Sequence, residues 1–293
     1  MKEKSKKEIK EKNTPIKEKR IHFRTILFLI IACFILMVVW ARYISTTGLI
    51  VKEYNVTNSR LPENFHGLKI IHFSDTHYGT TINKKEMERI VKEINLYRPD
   101  IVVFTGDLFD KDITIKDSDV ETLGNLLKSI DASLEKLAVR GNHDYVNDYF
   151  ERVMEMAEFI VLNNETKRIY YKGETPILIK GLPSITQEIF DPNEEELEDE
   201  EQLFRIVLAH EPDSFDQLDL KPDLMLTGHS HGGQIRLPFW GAIHTAVGAK
   251  RFHEERYVIG NTELFVSSGL GTTQINFRFL NRPSFNLYRL YSH

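Results

Sequence analysis

Residues 68–77 read LKIIHFSDTH, and residues 101–110 read IVVFTGDLFD. Each is a short apolar run followed at once by a turn carrying carboxylate or imidazole side chains. Such a run, bounded by turn residues, is the pattern of a strand buried on both faces. Between them Met87, Ile90, Val91 and Ile94 recur at helical spacing over Lys84–Tyr97, and Pro99 ends that helix. Working outward, Asp117–Ile130 reads as helix, Leu137–Arg140 as strand and Tyr149–Phe159 as helix. This β-α-β-α-β rhythm predicts an α/β fold with a parallel sheet and covering helices. After Ile160 the pattern changes to strands joined by turns: Lys167–Lys172, Ile177–Gly181, Ile206–Ala209 and Leu224–Thr227, then Leu264–Ser267 and Phe285–Tyr291. Val51–Val56 is an entry strand inside an otherwise linker-like stretch, 42–66.

The chain has 293 residues, 41% of them apolar and 28% charged, and a formal net charge of −5. That composition excludes collagen-like, wholly disordered and polytopic membrane proteins. One cysteine makes neither an internal disulfide nor a thiolate zinc cluster. The charge is uneven: residues 1–24 carry ten basic and four acidic side chains, leaving 28 basic and 39 acidic beyond them. The polar, Pro15-containing tail 1–24 reads as disordered, because it has too little apolar surface to offset its ordering entropy. Thr25–Ala41 follows with no charge at all, long enough to cross a bilayer with Arg24 and Arg42 at its ends. Trp40 and Tyr43 are placed as interfacial aromatics. The Lys/Arg excess before the span puts the amino terminus in the cytoplasm and residues 42–293 outside. Val39 and Ala41 also give the small-residue spacing of a signal-peptide cleavage site; the reading taken here is an uncleaved single-pass anchor over 25–41. Cys33 lies within that span, so the exported part carries no thiol.

The strand ends hold the chemistry. Asp75-Thr76-His77 follows the first, Gly106-Asp107-Leu108-Phe109-Asp110 the second and Gly141-Asn142-His143-Asp144 the third. Ala209-His210-Glu211 and Gly228-His229-Ser230-His231-Gly232-Gly233 follow two later strands. Any one of these is ordinary turn chemistry. Five together can converge, because ligands of open α/β sheets gather outside the carboxyl ends of the strands. Imidazole and carboxylate with one amide, and no thiolate, suit Mn, Fe or Zn in an open site rather than a structural zinc knot. A carboxylate can bridge two cations, and two-metal sites stabilise both oxygens of a phosphoryl displacement. Bound cations would also let a part with net charge −11 accept an anionic substrate; no nucleic-acid partner is expected.

In order and spacing, Asp75-x-His77, Gly106-Asp107-x-x-Asp110, Gly141-Asn142-His143-Asp144, His210 and Gly228-His229-x-His231 resemble the motifs of the calcineurin-like metallophosphoesterases. The likeness covers Gly67 to Gly233 and is strongest to bacterial membrane-anchored members. It implies a four-layer α-β-β-α sandwich over 67–293, preceded by the one amino-terminal transmembrane helix. It implies two divalent metal ions, the first held by Asp75, His77 and His231, the second by Asn142, His210 and His229, with Asp107 bridging. His143 would protonate the leaving oxygen or steady the transition-state charge, Asp144 would orient the His143 ring, and Asp110 would support its loop. Lys111 after Asp110, and Asp144 where protein phosphatases carry Glu, shift the expectation from phosphoproteins to phosphodiesters. The segment from Gly269 to Pro283 resembles the family's closing stretch, with Ser284 in place of its usual Glu.

Other features are weaker. Gln187–Gln202 has nine acidic residues in sixteen and reads as a solvated helix capped by Asp191, with cation binding as the alternative. Residues 238–261 read as a β-hairpin with aromatic packing, or else as a wall against a lipid or nucleotide. His66, His72, His244 and His253 are not counted as ligands. The expected activity is hydrolysis of a lipid- or envelope-linked phosphodiester or pyrophosphate by a metal-activated water, at the outer face of the cell membrane. The alternatives are a phosphomonoesterase and a non-catalytic envelope protein that binds metal or phosphate; no substrate-binding residues are assigned.

Overall fold

A computed structural model describes residues 23–188 and 202–293. The chain divides into two units, one ending at Val39 and one running from Trp40 to His293. The first unit holds helix α1, Phe23–Val39, every side chain of which is at least partly exposed. A helical turn continues to Ile44, and the 22-residue run from Phe23 is long and apolar enough to cross a membrane. It extends past the predicted span of 25–41 at both ends. The basic tail up to residue 22, and most of the acidic segment with its expected cap at Asp191, lie outside the described residues.

The second unit contains, in chain order, β1 (Ile50–Thr57), β2 (Lys69–Phe73), α2 (Lys84–Leu96), β3 (Ile101–Phe104), α3 (Asp117–Lys128), β4 (Glu135–Ala138), α4 (Tyr149–Met156) and β5 (Ile160–Val161). It continues with β6 (Glu165–Ile169), β7 (Ile177–Gly181), β8 (Arg205–Leu208), β9 (Leu224–Thr227), β10 (Arg236–Leu237), β11 (Gly241–Ala242), β12 (Arg256–Ile259), β13 (Thr262–Val266) and β14 (Ser284–Tyr291). Two six-stranded sheets form, in the orders β1-β14-β2-β3-β4-β5 and β12-β13-β9-β8-β7-β6. In the first sheet every pair is parallel except β14 with β2, and in the second a parallel centre, as the buried apolar runs require, is flanked by an antiparallel pair at each edge.

The inner core lies between the sheets, where Ile70, Val103, Leu137 and Tyr288 of the first meet Ile179, Ile206, Leu224 and Phe265 of the second. The opposite face of the first sheet is covered by α2, α3 and α4. Met87, Ile90, Val91 and Ile94 of α2 and Val120, Leu123 and Leu127 of α3 pack there on Ile71, Phe73, Val102 and Phe104. Asn83 caps α2, its side-chain oxygen accepting from the Glu86 N–H at 3.2 Å. The outer face of the second sheet is covered, among the described residues, by the 3-10 turn Pro212–Gln217 and by Phe252, in place of long helices. The fold is the mixed α/β double sheet expected of the family.

Several boundaries differ from expectation. β1 runs one residue beyond the expected Val51–Val56 at each end and pairs with β14 over all eight of its residues, which ties this part of the linker-like 42–66 stretch into the first sheet. β4 ends at Ala138 rather than Arg140, because its partner β3 ends at Phe104 and the chain leaves the sheet there to form the third motif loop. β6 stops at Ile169, opposite Ile177, where β7 begins.

Candidate metal centre

The motif loops leave the carboxyl ends of β2, β3, β4, β8 and β9, and they pack against one another over very short distances. Gly106 and Gly141 touch backbone to backbone: a Cβ on Gly106 would lie 2.1 Å from the Gly141 nitrogen, and one on Gly141 only 2.3 Å from Asp107 Oδ1. Only glycine permits that approach, and Gly106 also has φ of +90°. Asp75, His77, Asp107, His229 and His231 all hold left-handed backbone, with φ between 39° and 65°. That conformation costs each side chain roughly 1–2 kcal/mol. Strain repeated at five of the seven predicted ligands marks a site the surrounding fold maintains.

Six predicted ligands meet in two buried groups. In the first, His77 Nε2 lies 3.1 Å from His231 Nε2, and His231 Nε2 lies 3.4 Å from Asp75 Oδ1. In the second, His210 Nε2 lies 3.1 Å from His229 Nδ1. Asp107 Oδ2 stands between the groups, 3.5 Å from His77 Nε2 and 3.2 Å from His210 Nε2. The seventh, Asn142, follows Gly141 into the same loop, and its Oδ1 is buried with no hydrogen-bond partner.

The ring nitrogens show what these groups need. His210 Nδ1 donates to the Thr105 carbonyl at 2.6 Å, and His229 Nε2 donates to the Val247 carbonyl at 2.7 Å. With those protons committed, the neutral rings point two lone pairs at each other across 3.1 Å. A cation between them removes the repulsion, and the orphaned Asn142 oxygen is a further donor to it. Asp75, Asp107 and Asp110 are almost wholly buried and make no ion pair with Lys or Arg among the described residues. Buried charge of this kind is paired or coordinates metal. The residues fit a divalent cation in each group.

Without a cation, a proton on His210 takes its place and offsets the buried carboxylates. Burial opposes charge on Asp107, but His210, His143 and His77 hold its carboxyl well below the usual range. Burial disfavours protonation of His210, yet Asp107 and Asp75 raise it well above an ordinary imidazole. Burial, with His77 and Arg278 adding to it, keeps His231 well below. Burial likewise holds His143 below its ordinary value.

His143 is half-buried beside the first group, its ring edge-on to His77 with centroids 4.9 Å apart. The expected partnership with Asp144 is absent. Asp144 accepts instead from the backbone N–H groups of Asp107, Leu108 and Gly141 at 2.8, 2.9 and 2.8 Å, and burial pushes its carboxyl up to about 7. Asp144 clamps the second and third motif loops together, because three N–H donors on adjacent turns take up its two oxygens. Nδ1 of His143 faces the Lys111 N–H at 3.4 Å. Asp110 does more than support its loop: its Oδ2 lies 3.3 Å from His77 Nδ1, close enough to attract a charged ring though not aligned as a hydrogen bond.

Two contributors come from the closing stretch Gly269–Pro283, which carries no ligand motif of its own. Arg278, fully buried, donates to the carbonyls of Ser268 and Gly269 at 2.8 and 3.1 Å and stands 3.5 Å from His231 Nδ1. Asn281 donates to the His231 carbonyl. His72, excluded as a ligand, is buried in β2 and bonded to Thr105. A groove of about 240 Å³ opens beside His229 and His231, walled by Ile235, Ile243, Ala246 and Ile275. A larger cavity, about 460 Å³, lies between Trp40, Lys52, Arg236 and Arg282 and touches no predicted ligand.

Comparison with known proteins agrees with this geometry. The profile of the calcineurin-like phosphoesterases matches residues 68–233. Over 261 residues the chain is 33% identical to the uncharacterized metallophosphoesterase YkuE of Bacillus subtilis strain 168, covering 86% of this chain and 89% of that one. Over 324 residues it is 26% identical to the UDP-2,3-diacylglucosamine pyrophosphatase LpxG of Chlamydia trachomatis, covering 89% and 94%. A transmembrane protein with metallophosphoesterase domain from Danio rerio is 29% identical over 201 residues, which cover 63% of this chain and 45% of that protein. The matched interval contains every residue of the two imidazole and carboxylate groups, and the chain belongs to the calcineurin-like phosphoesterase family of metal-dependent phosphoester hydrolases.

Proposed function

We propose that the protein is a membrane-anchored hydrolase of phosphodiesters or pyrophosphates borne on a lipid or another envelope component. We further propose that it uses two divalent cations, of Mn, Fe or Zn. The observation that carries this reading is Asp107, whose Oδ2 faces the imidazoles of both groups. Asp75, His77 and His231 would hold one cation, and Asn142, His210 and His229 the other, with Asp107 shared. Bound there, the pair would supply Lewis acidity and a water of lowered pKa.

The chain's own groups do the rest. Asp144 locks the loops of Asp107 and Asn142 in one register through its three backbone bonds. Asp110 draws on His77 Nδ1, which leaves Nε2 directed into the first group. His143, held neutral by burial and with Nδ1 turned to the Lys111 N–H, keeps its proton on Nε2. That N–H can donate a hydrogen bond to the leaving oxygen and steady the charge that develops there. The apolar walls of the adjacent groove support a lipid-borne substrate. The pyrophosphatase named among the relatives supports a pyrophosphate bond as one target. The apolar run from Phe23, preceded by a basic tail, supports a cytoplasmic amino terminus and an outward-facing site.

Metal analysis of the purified chain and a panel of bis-p-nitrophenyl phosphate, p-nitrophenyl phosphate and a lipid-linked pyrophosphate test the reading. Asp107→Asn should lose metal and turnover together. His143→Ala should keep its metal and lower kcat by about 100- to 10,000-fold. Hydrolysis of the monoester alone, or binding without turnover under Mn, Fe and Zn, would replace this reading with a monoesterase or a binding protein. A reporter fused after His293 should be active only outside the cytoplasm.

A further inference from the structure

The rim of the apolar groove ends in a feature the hydrolytic site does not use. β10 and β11 form a two-rung hairpin, pairing Arg236 with Ala242 and Leu237 with Gly241. Pro238, Phe239 and Trp240 make its tip. Trp240 is 87% exposed and Phe239 wholly so, and Phe239 is held in left-handed backbone at φ +67°. A bulky side chain rarely adopts that conformation, and here it is spent on presenting an aromatic ring to solvent. Ile243 and Ile275 of the groove wall are exposed as well, Val247 is exposed a few residues on, and Leu280 is exposed at the larger cavity that Trp40 also lines. Exposed apolar side chains gathered in this way mark an interaction surface.

Chain connectivity says what covers it. Trp40 lies within the apolar 22-residue run, at its carboxyl end. Its ring packs edge-on to Phe279, with centroids 5.8 Å apart. The Phe279 carbonyl accepts from the Arg236 N–H at 2.9 Å, at the first residue of the hairpin. From Arg236 the tip is three residues away, roughly 10 Å at strand rise. Two contacts and three residues thus separate the tip from Trp40, which is placed as an interfacial aromatic.

We infer that the 236–242 hairpin and the exposed apolar side chains beside it are a membrane-contact surface: Phe239 and Trp240 enter the lipid interface, so that the groove beside the metal centre opens to the lipid phase. The inference rests on the proposed uncleaved anchor, and the test separates the two. The full chain carrying Trp40→Phe, which leaves Trp240 as its single tryptophan, is reconstituted in nanodiscs of phosphatidylcholine and phosphatidylglycerol with brominated acyl chains. Expected are blue-shifted Trp240 emission, loss of most of that emission to lipid bromine, and protection from aqueous iodide. Should W40F misfold, the difference between the unaltered chain and Trp240→Phe gives the same signal. Adding Phe239→Ser should weaken bromine quenching while turnover of bis-p-nitrophenyl phosphate stays unchanged. Incorporated chain whose Trp240 is quenched by iodide and not by bromine overturns the inference and leaves the anchor intact. A blue shift without bromine quenching means a protein covers the rim, a second copy included, and also overturns it. Chain recovered outside the nanodiscs overturns the anchor, and this surface with it. The outcomes that overturn the inference are all read from fluorescence and incorporation, independently of phosphoester turnover.

Discussion

His72 stands in the middle of β2 with its ring fully buried, Nε2 bonded to Thr105 at 2.8 Å and Nδ1 3.4 Å from the Tyr288 hydroxyl. Burial lowers its pKa to about 3. The unfolded chain, with an ordinary imidazole near 6.5, binds the proton more readily than the folded one throughout that window. Stability is therefore complete above pH 6.5 and is lost as pH falls towards 3, by on the order of 1 kcal/mol per pH unit from this group. Chemical denaturation of the unaltered chain and of His72→Gln between pH 7 and pH 4 checks this. The variant, which can still bond Thr105, should show the shallower acid loss, and parallel profiles would refute the assignment. Neighbouring imidazoles behave differently because carboxylates surround them: His77 and His210 are raised despite equal burial.

At the level of elements, the strands place the loops and the loops place the ligands. Gly106 and Gly141 let the loops after β3 and β4 touch, and Asp144 fastens them. Gly106→Ala would push a Cβ to 2.1 Å from the Gly141 nitrogen at a φ of +90°. We expect a loss of at least about 2 kcal/mol. We also expect sharply weaker metal uptake with far-UV circular dichroism preserved, since β3, β4 and the helices lie outside the contact. A variant with unchanged denaturation midpoint and metal content would show that the loops can part. The motif residues were readable because each cluster is contiguous and follows an apolar run. Asp144 was misread for the same reason: adjacency to His143 suggested a partnership that the fold gives to backbone N–H groups 36 and 37 positions away.

For the whole molecule, two six-stranded sheets bring five chain segments together around a cluster of buried carboxylates and imidazoles. A cation that binds only the folded arrangement adds its binding free energy to stability. At a free concentration one hundred times Kd this is about 2.7 kcal/mol, and for a chain of this size about 5–10 °C in Tm. Chelation should therefore lower Tm, and Mn²⁺ should restore it in the unaltered chain but far less in Asp107→Asn. An unaltered Tm on chelation would mean the cluster holds no stabilising cation.

The sequence by itself determined the α/β rhythm, the apolar run near the amino terminus, the ligand types and their order along the chain. These are local patterns, written in side-chain period and in turns adjoining strands. Only the tertiary structure decided that the free nitrogens of His210 and His229 face each other, that Arg278 sits behind His231, and that Asp110 stands beside the ring of His77. It also decided that the hairpin tip at Phe239 and Trp240 joins through Phe279 to Trp40. Each of these is a contact between residues tens to hundreds of positions apart, or a backbone strain. Sheet register and loop packing set both, and no local pattern encodes them.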